Sequence, residues 1–145
     1  MSGKANMWGV LLLIGGIMAA AAIFLDWHEF LGLGSPITGW DIFTEGKESD
    51  YEYYMLPLVL LASAAVAVVI SAVELVRSSK ALGVLTLIIG ILVIALPIFL
   101  LSDLYGELSV FGYNWIDDVA MGFYLMMTAG VLLLIGSIAT IVKSN

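Results

Sequence analysis

The residues best suited to chemistry stand together in the run Asp26-Trp27-His28-Glu29, directly after an apolar stretch. His28 is the only histidine of the chain, and an imidazole beside two carboxylates could act in acid–base catalysis or bind a metal ion. The spacing matches no zinc or metalloprotease motif, and without cysteine a thiolate metal site and a cysteine nucleophile are excluded. We interpret the run as a polar segment at the end of the preceding apolar stretch. We predict no catalytic residue, no cofactor and no enzymatic activity, and leave a metal site open.

A second chemical feature is the concentration of carboxylates in two segments, 26–54 and 103–118. They hold eleven of the twelve acidic residues and one of the five basic residues. Such a surface could bind a divalent cation, which prefers oxygen ligands, or a basic patch on a partner. The low content of basic residues argues against nucleic acid as a partner. The candidates for cation or partner contact are Asp26, Trp40, Asp41, Asp117 and Asp118.

These groups must be positioned by four apolar stretches that contain no charged residue. The chain is 62% hydrophobic and 12% charged, whereas a soluble domain carries about 25% charged residues. A helix of roughly 20 apolar residues crosses a hydrocarbon core of ~30 Å. We therefore predict one all-α domain, residues 1–145: an up-down bundle of four transmembrane helices with a small loop cap. The predicted spans are about 7–25, 55–74, 81–102 and 119–142.

The charge pattern predicts the orientation of the chain. Lys4, Arg77, Lys80 and Lys143 fall on the side of the termini, and Lys47 is the one basic residue on the other side. The positive-inside rule then predicts a multi-pass plasma-membrane protein with cytoplasmic N- and C-termini and with segments 26–54 and 103–118 as outer loops. Trp8 and many aromatic residues of the loops, including Trp27, are expected to lie at the two membrane interfaces.

Local patterns suggest how the loops are built. The run Trp-Asp-Ile at 40–42 alternates like a half-buried strand, so the first loop could form a short β-hairpin or an irregular segment dipping into the headgroups. Trp40 and Asp41 would then anchor the cap against the helix ends. The run Ser-Asp-Tyr-Glu at 49–52 matches a capping box, which predicts that the second helix starts there. Asn114 is the expected N-cap of the fourth span.

Small residues at helical spacing indicate close helix packing, because lipid provides no hydrophobic drive between helices. Most should pack within the bundle, and one stripe could face a neighbouring subunit. The sequence of 9–17 also recurs at 130–138 with eight of nine residues identical, and more loosely at 83–91. This match reflects either duplication of a hairpin unit or chance among apolar residues. The packing candidates are Gly16, Ala20, Ser63, Ala67, Ser71 and Gly136.

No ionisable residue lies in the middle of a span, which argues against a proton-coupled transporter. Glu74 and Arg77, at the cytoplasmic edge, are expected to pair or to extend toward the surface. The favoured function is that of an accessory or structural subunit that engages other membrane proteins. The alternatives are an oligomeric channel or small-solute transporter and, on His28, a membrane enzyme. The expected partners are the lipid bilayer and other subunits or further copies of the chain.

Trp27, the run Gly-Leu-Gly at 32–34 and the run Thr-Gly-Trp-Asp at 38–41 carry a family resemblance. The chain resembles small prokaryotic four-helix (tetraspan) membrane proteins of unassigned function, which often show a Trp after helix 1 followed by Gly-Trp-Asp. More distantly it is similar to the claudin-like group, although Gly34 stands where that group has a Trp and the two signature cysteines are absent. The resemblance implies the four-helix topology and no particular activity.

Overall fold

The computed structural model describes residues 7–29, 36–77, 79–112 and 114–143. The chain is mostly helical, as predicted, and these residues include one two-stranded antiparallel sheet. The elements in chain order are α1 (Met7–Ala22), β1 (Asp26–His28), β2 (Ile37–Thr38), α2 (Gly39–Glu48), α3 (Leu56–Val76), α4 (Lys80–Tyr105), two 3₁₀ helices (Gly106–Phe111 and Trp115–Asp118) and α5 (Met121–Lys143).

Three of the helices have the length and composition of membrane spans. α3, α4 and α5 contain 21, 26 and 23 residues, against roughly 20 needed to cross a bilayer. Within the described ranges these three are long and apolar enough to cross, whereas α1 is a shorter apolar helix of 16 residues. The protein is therefore a helical membrane protein. The predicted first span, 7–25, is longer than the helix observed there.

α1 ends early because its last carbonyls are taken up by the turn that follows. The Trp27 indole Nε1–H donates to Ala22 O at 2.8 Å, and the Leu25 N–H donates to the same oxygen at 3.2 Å. The Trp40 N–H donates to Ile23 O at 3.0 Å. The terminal carbonyls of a helix lack partners within it, so these donors stabilise a stop. The chain then enters β1 instead of continuing as helix.

The four long helices form a closed ring, in which α1 and α4 each pack against both α3 and α5. Fully buried aliphatic and small side chains fill its interior, including Leu12, Ala64, Ala67, Val93 and Leu133. Large apolar side chains are also exposed on the outside of every helix of the ring, among them Ile17, Val66, Ile88 and Ile135. A helix that is apolar on all sides fits a lipid environment.

The two close copies of the repeated sequence contact each other across α1 and α5. A Cβ on Gly15 would lie 3.1 Å from Leu133 Cγ, and a Cβ on Gly136 would lie 3.1 Å from Leu12 Cγ. Gly15 and Gly136 hold the same position in the two copies, as do Leu12 and Leu133. The contact is therefore reciprocal between antiparallel helices. This reciprocal packing explains physically why 9–17 and 130–138 are alike, and the explanation does not require duplication of a hairpin unit.

The other packing candidates also lie within the bundle. A Cβ on Gly16 would meet Val68 Cγ2 of α3 at 3.0 Å. Ala67 and Ser71 are fully buried, and Ala20 and Ser63 are half-buried. The Ser71 hydroxyl donates to the carbonyl three residues earlier, at 2.9 Å. The small size of Gly16, Ala67 and Ser71 thus serves packing inside this chain.

The joint between α3 and α4 contains a buried carboxylate. Glu74 is fully buried, and its Oε2 accepts a hydrogen bond from the Ser79 N–H at 3.3 Å. Arg77, the next basic residue, is exposed. The expectation that Glu74 would extend toward the membrane surface is therefore wrong, because this side chain turns inward to the start of α4.

The first loop contains a helix where a strand was expected. Thr38 Oγ1 accepts from the Asp41 N–H at 2.9 Å, and Asp41 Oδ2 accepts from the Thr38 N–H at 3.0 Å. This capping box begins α2, so residues 40–42 are helical and not the half-buried strand that their alternation suggested. The loop nevertheless contains the short antiparallel strand pair of the hairpin alternative, formed by β1 and β2. The helix start predicted at 49–52 is also wrong: Ser49 is the C-cap of α2, and α3 begins at Leu56.

Candidate functional site

The loops meet at one end of the bundle in a small ordered structure, which we call the cap: β1, β2, α2 and the second 3₁₀ helix. β1 is its centre, since it pairs with β2 on one side and reaches the start of α5 on the other. The Ala120 N–H donates to Trp27 O at 2.8 Å, and the Glu29 N–H donates to Asp118 O at 3.0 Å. β1 therefore ties the first loop to the second.

Trp27 is the core of the cap. Its side chain is fully buried, and a Cβ on Gly39 would lie only 2.6 Å from its Cζ2 atom. The expectation that this ring would sit in the headgroup layer is wrong, because the indole fills the space between the end of α1 and the start of α2. The glycine of the Gly-Trp-Asp run is required by this contact, so the motif quoted for the tetraspan resemblance has a packing role.

His28 is fully buried beside Trp27 and stacks on Tyr105, with ring centroids 4.0 Å apart and planes at 19°. Burial lowers the pKa of the imidazole below its ordinary value, while the Asp118 charge and a hydrogen bond with the Trp115 backbone act in the opposite direction. Within the described residues no group of three His, Asp or Glu side chains is placed to hold a metal ion. The geometry gives His28 a structural position between α4 and the second loop.

The five candidate contact residues are distributed over the cap rather than gathered at one point. Asp26 and Asp117 are exposed, whereas the Asp41 carboxylate is used by the capping box of α2. Asp117 and Asp118 line a shallow pocket of ≈ 260 Å³ together with Glu29. Asn114 caps the 3₁₀ helix that carries these two acids, with Oδ1 accepting from the Ile116 N–H at 3.2 Å, and not α5 as expected.

Trp40 belongs to a row of aromatic rings on the side of the cap. It is 36% exposed, and its ring centroid lies 5.5 Å from that of Phe24 and 5.2 Å from that of Phe43. Phe43 in turn stacks on Tyr54 at 6.1 Å. The row joins α1, α2 and the residues before α3. Aromatic rings of this kind favour the interface between lipid and water.

A hydrogen bond between the first loop and the last turn of α4 was missed by reasoning from the sequence. The Tyr51 hydroxyl donates to Asp103 Oδ2 at 2.6 Å. Burial, followed by this bond and the Asp103 charge, raises the pKa of the Tyr51 phenol above its ordinary value. The partners are 52 residues apart in the sequence. No local signal could have paired them.

Hydroxyl groups inside the bundle are hydrogen-bonded to neighbouring groups. The Ser137 hydroxyl of α5 donates to Thr86 Oγ1 of α4 at 2.7 Å, and the Thr86 hydroxyl donates to Gly83 O at 3.0 Å. Both side chains are fully buried. They therefore link two helices of the ring, α4 and α5.

Comparison of the chain with protein-family models, with curated proteins and with solved structures finds no match. The resemblance to tetraspan proteins therefore stays a prediction. Of the residues that carry it, the run at 32–34 lies outside the described residues, and Trp27, Gly39 and Asp41 have the structural roles given above.

Proposed function

We propose that the protein is a non-enzymatic membrane subunit with four spans, which binds other membrane proteins through its cap. The observation that carries this proposal is the combination of a ring of helices filled by fully buried side chains with an ordered, acid-rich cap over one end. A bundle of this kind presents a fixed surface to a partner. Two of its buried hydroxyls, those of Thr86 and Ser137, are hydrogen-bonded to each other.

The packing of α1 supports a fourth crossing. Its first turn lies against α5 near Gly136, where a Cβ would be 3.2 Å from Trp8 O. The turn after α1 lies against the other end of α5, where a Cβ on Gly122 would be 2.9 Å from the Leu25 carbonyl carbon. α1 and its following turn therefore run beside most of a helix that is long enough to span. We infer that they cross the membrane with it.

The charge pattern supports the orientation and the kind of partner. Arg77, Lys80 and Lys143 lie at the end of the bundle opposite the cap, and Lys4 precedes α1 in the sequence. The cap should therefore face outward from the plasma membrane, with both termini in the cytoplasm. The exposed acids of the cap and its neighbouring turns would complement a basic surface on a partner, which gives specificity and fast association. These exposed acids are Asp26, Glu45, Glu48, Asp50, Glu52, Asp103 and Asp117.

The test is extraction from native membranes in a mild detergent, followed by measurement of the native mass and the subunit stoichiometry. A larger complex of fixed stoichiometry is expected, and Asp26→Lys with Asp117→Lys should dissociate it at moderate salt. Arg77→Glu, an exposed charge change at the opposite end of the bundle, is the matched control and should leave the complex intact. Recovery of the chain as a single species containing only itself would refute the accessory role.

The competing function is an oligomeric channel or small-solute transporter. It is tested by ion and solute flux into liposomes that contain only the purified chain. We expect no flux above that of empty liposomes, because the buried hydroxyls at Thr86 and Ser137 are bonded within the ring. Flux that scales with the amount of protein would favour the channel over the accessory subunit.

A further inference from the structure

The segment between α4 and α5 exposes two large apolar side chains. Val110 and Phe111 end the first 3₁₀ helix, Gly106–Phe111, and each is 84% exposed. No other large hydrophobic residue of the described ranges is exposed to that extent. Gly112 follows with φ +82°, a left-handed conformation that turns the chain back after the apolar pair.

The stretch of sequence between Glu107 and Asp117, which contains this pair, carries no charge, although the loop as a whole is acidic. Residues 108–116 contain no acidic or basic side chain, and Ile116, at the far end of this stretch, is 55% exposed. The chain next reaches Met121 and Tyr124 on α5, which are 77% and 59% exposed. The start of α5 thus also exposes apolar side chains, beyond Asp117 and Asp118 in the sequence.

The segment cannot extend far from the membrane. α4 ends at Tyr105 and α5 begins at Met121, so the chain leaves one span and enters the next within fifteen residues. Both 3₁₀ helices pack against α4, which keeps the segment close to the end of the bundle. Segments rich in apolar and aromatic residues at this level are typical of the lipid–water interface.

We propose that Val110 and Phe111 insert into the lipid leaflet on the cap side and anchor the second loop there. The inference rests on the four-span topology proposed above. Lipid is the occupant favoured by the absence of charge in 108–116 and by the short connection between two helices that each expose apolar side chains, α4 and α5. The pair should lie about 5–10 Å into the boundary between headgroups and acyl chains. The acidic face of the cap then stays free to meet a protein partner.

The test uses single cysteines, because the natural chain has none. Val110→Cys and Phe111→Cys are labelled with an environment-sensitive fluorophore and reconstituted into liposomes of neutral lipid at a high lipid-to-protein ratio. Glu48→Cys, on an exposed polar position of α2, is the aqueous control, and Val66→Cys, half-exposed in the middle of α3, is the deep-membrane control. All four positions are on the surface, so the label should leave the packing unchanged.

The labels at 110 and 111 should emit at shorter wavelength than the label at Glu48 and resist quenching by aqueous iodide. A nitroxide near the headgroup end of the lipid chain should quench the labels at 110 and 111 more strongly than a nitroxide near the methyl end. The label at Val66 should show the opposite order of quenching. If iodide quenched the labels at 110 and 111 as strongly as the label at Glu48, the inference would be overturned. The proposed topology would still stand in that case, provided that the lipid nitroxides quench the label at Val66. Blue-shifted emission without lipid quenching would instead indicate a contact between copies and would also overturn the inference. An unquenched Val66 label would refute the topology itself.

Discussion

Gly122 lies where the start of α5 touches the backbone that leads into β1, and we predict that Gly122→Ala destabilises the protein. A Cβ at this position would lie 2.6 Å from Asp26 O, 2.9 Å from the Leu25 carbonyl carbon and 2.9 Å from Leu25 Cβ. Two of these three atoms belong to the backbone, which cannot move aside as the end of a side chain can. The substitution must therefore push β1 away from α5, against the Ala120–Trp27 hydrogen bond of 2.8 Å.

The magnitude follows from two opposing effects. Inserting a methylene group into a packed site costs about 1–3 kcal/mol. Alanine is favoured over glycine inside a helix by up to about 1 kcal/mol, and by less in the first turn, where Gly122 lies. The net loss in the free energy of unfolding should therefore be about 1–2 kcal/mol.

Gly106→Ala is the matched control, since it adds the same methyl group at the end of α4. The nearest atom to its Cβ would be Ser102 Oγ at 3.9 Å, and its backbone is helical with φ −63°. This variant should be unchanged or more stable by about 0.4–1 kcal/mol. The assay is reversible unfolding by SDS in mixed micelles, followed by circular dichroism and by the fluorescence of the buried Trp27. A Gly122→Ala protein as stable as the Gly106→Ala protein would refute the contact.

Three further predictions concern single interactions. Burial lowers the pKa of His28 in the folded state, so as the pH falls the unfolded chain takes up a proton on His28 before the folded chain does. The free energy of unfolding should therefore be highest above the ordinary pKa of about 6.5 and decrease below it. His28→Phe keeps an aromatic ring and should flatten that fall between about pH 7 and pH 5.5, measured by the same unfolding assay. Tyr51→Phe removes the bond to Asp103 and should cost about 0.5–1.5 kcal/mol, whereas Asp103→Asn retains an acceptor and should cost less. In a double-mutant cycle, Thr86→Val and Ser137→Ala should show a coupling of about 0.6 kcal/mol, the average for interhelical hydrogen bonds in membranes.

Each of these has a defined contrary result. An acid-side loss of stability that persists unchanged in His28→Phe would assign the titration to other groups. Equal stability of Tyr51→Phe and the natural chain would mean that the bond to Asp103 makes no net contribution. Additive effects of Thr86→Val and Ser137→Ala would show that the two hydroxyls stabilise their own helices independently.

Local patterns predicted the long helices well and the cap poorly. Uncharged apolar stretches determine α3, α4 and α5, because a long apolar helix satisfies its own backbone in lipid. In the cap, the alternation at 40–42 suggested a strand, but the capping box between Thr38 and Asp41 starts a helix there. The two residues of that capping box are visible in the sequence as a Thr followed three residues later by an Asp. A search for an N-cap residue just before 40–42 would have found them.

Tertiary contacts decided the roles of the chemically interesting residues. From the sequence we expected His28 to belong to a polar segment at a helix end and Trp27 to lie at the membrane interface. Both are buried, because β1 is enclosed between β2 and the start of α5. Glu74 was expected to pair with Arg77 or to extend toward the surface, but its side chain is buried where the turn into α4 places the Ser79 N–H beside it. The contact of Tyr51 with Asp103 likewise forms only when the first loop packs against the end of α4.

By itself, the sequence determined that this is a membrane protein and where its long apolar helices lie. The number of spans and the orientation of the chain stay predictions. Apolar length and the distribution of charge are properties of each segment alone, and lipid and water sort them without reference to the rest of the chain. Only the tertiary structure decided which polar groups are buried, how α1 and α5 share a reciprocal glycine–leucine contact, and that Val110 and Phe111 point out of the fold. Burial depends on what lies across from a side chain, and in this fold the opposing residues are far away along the sequence.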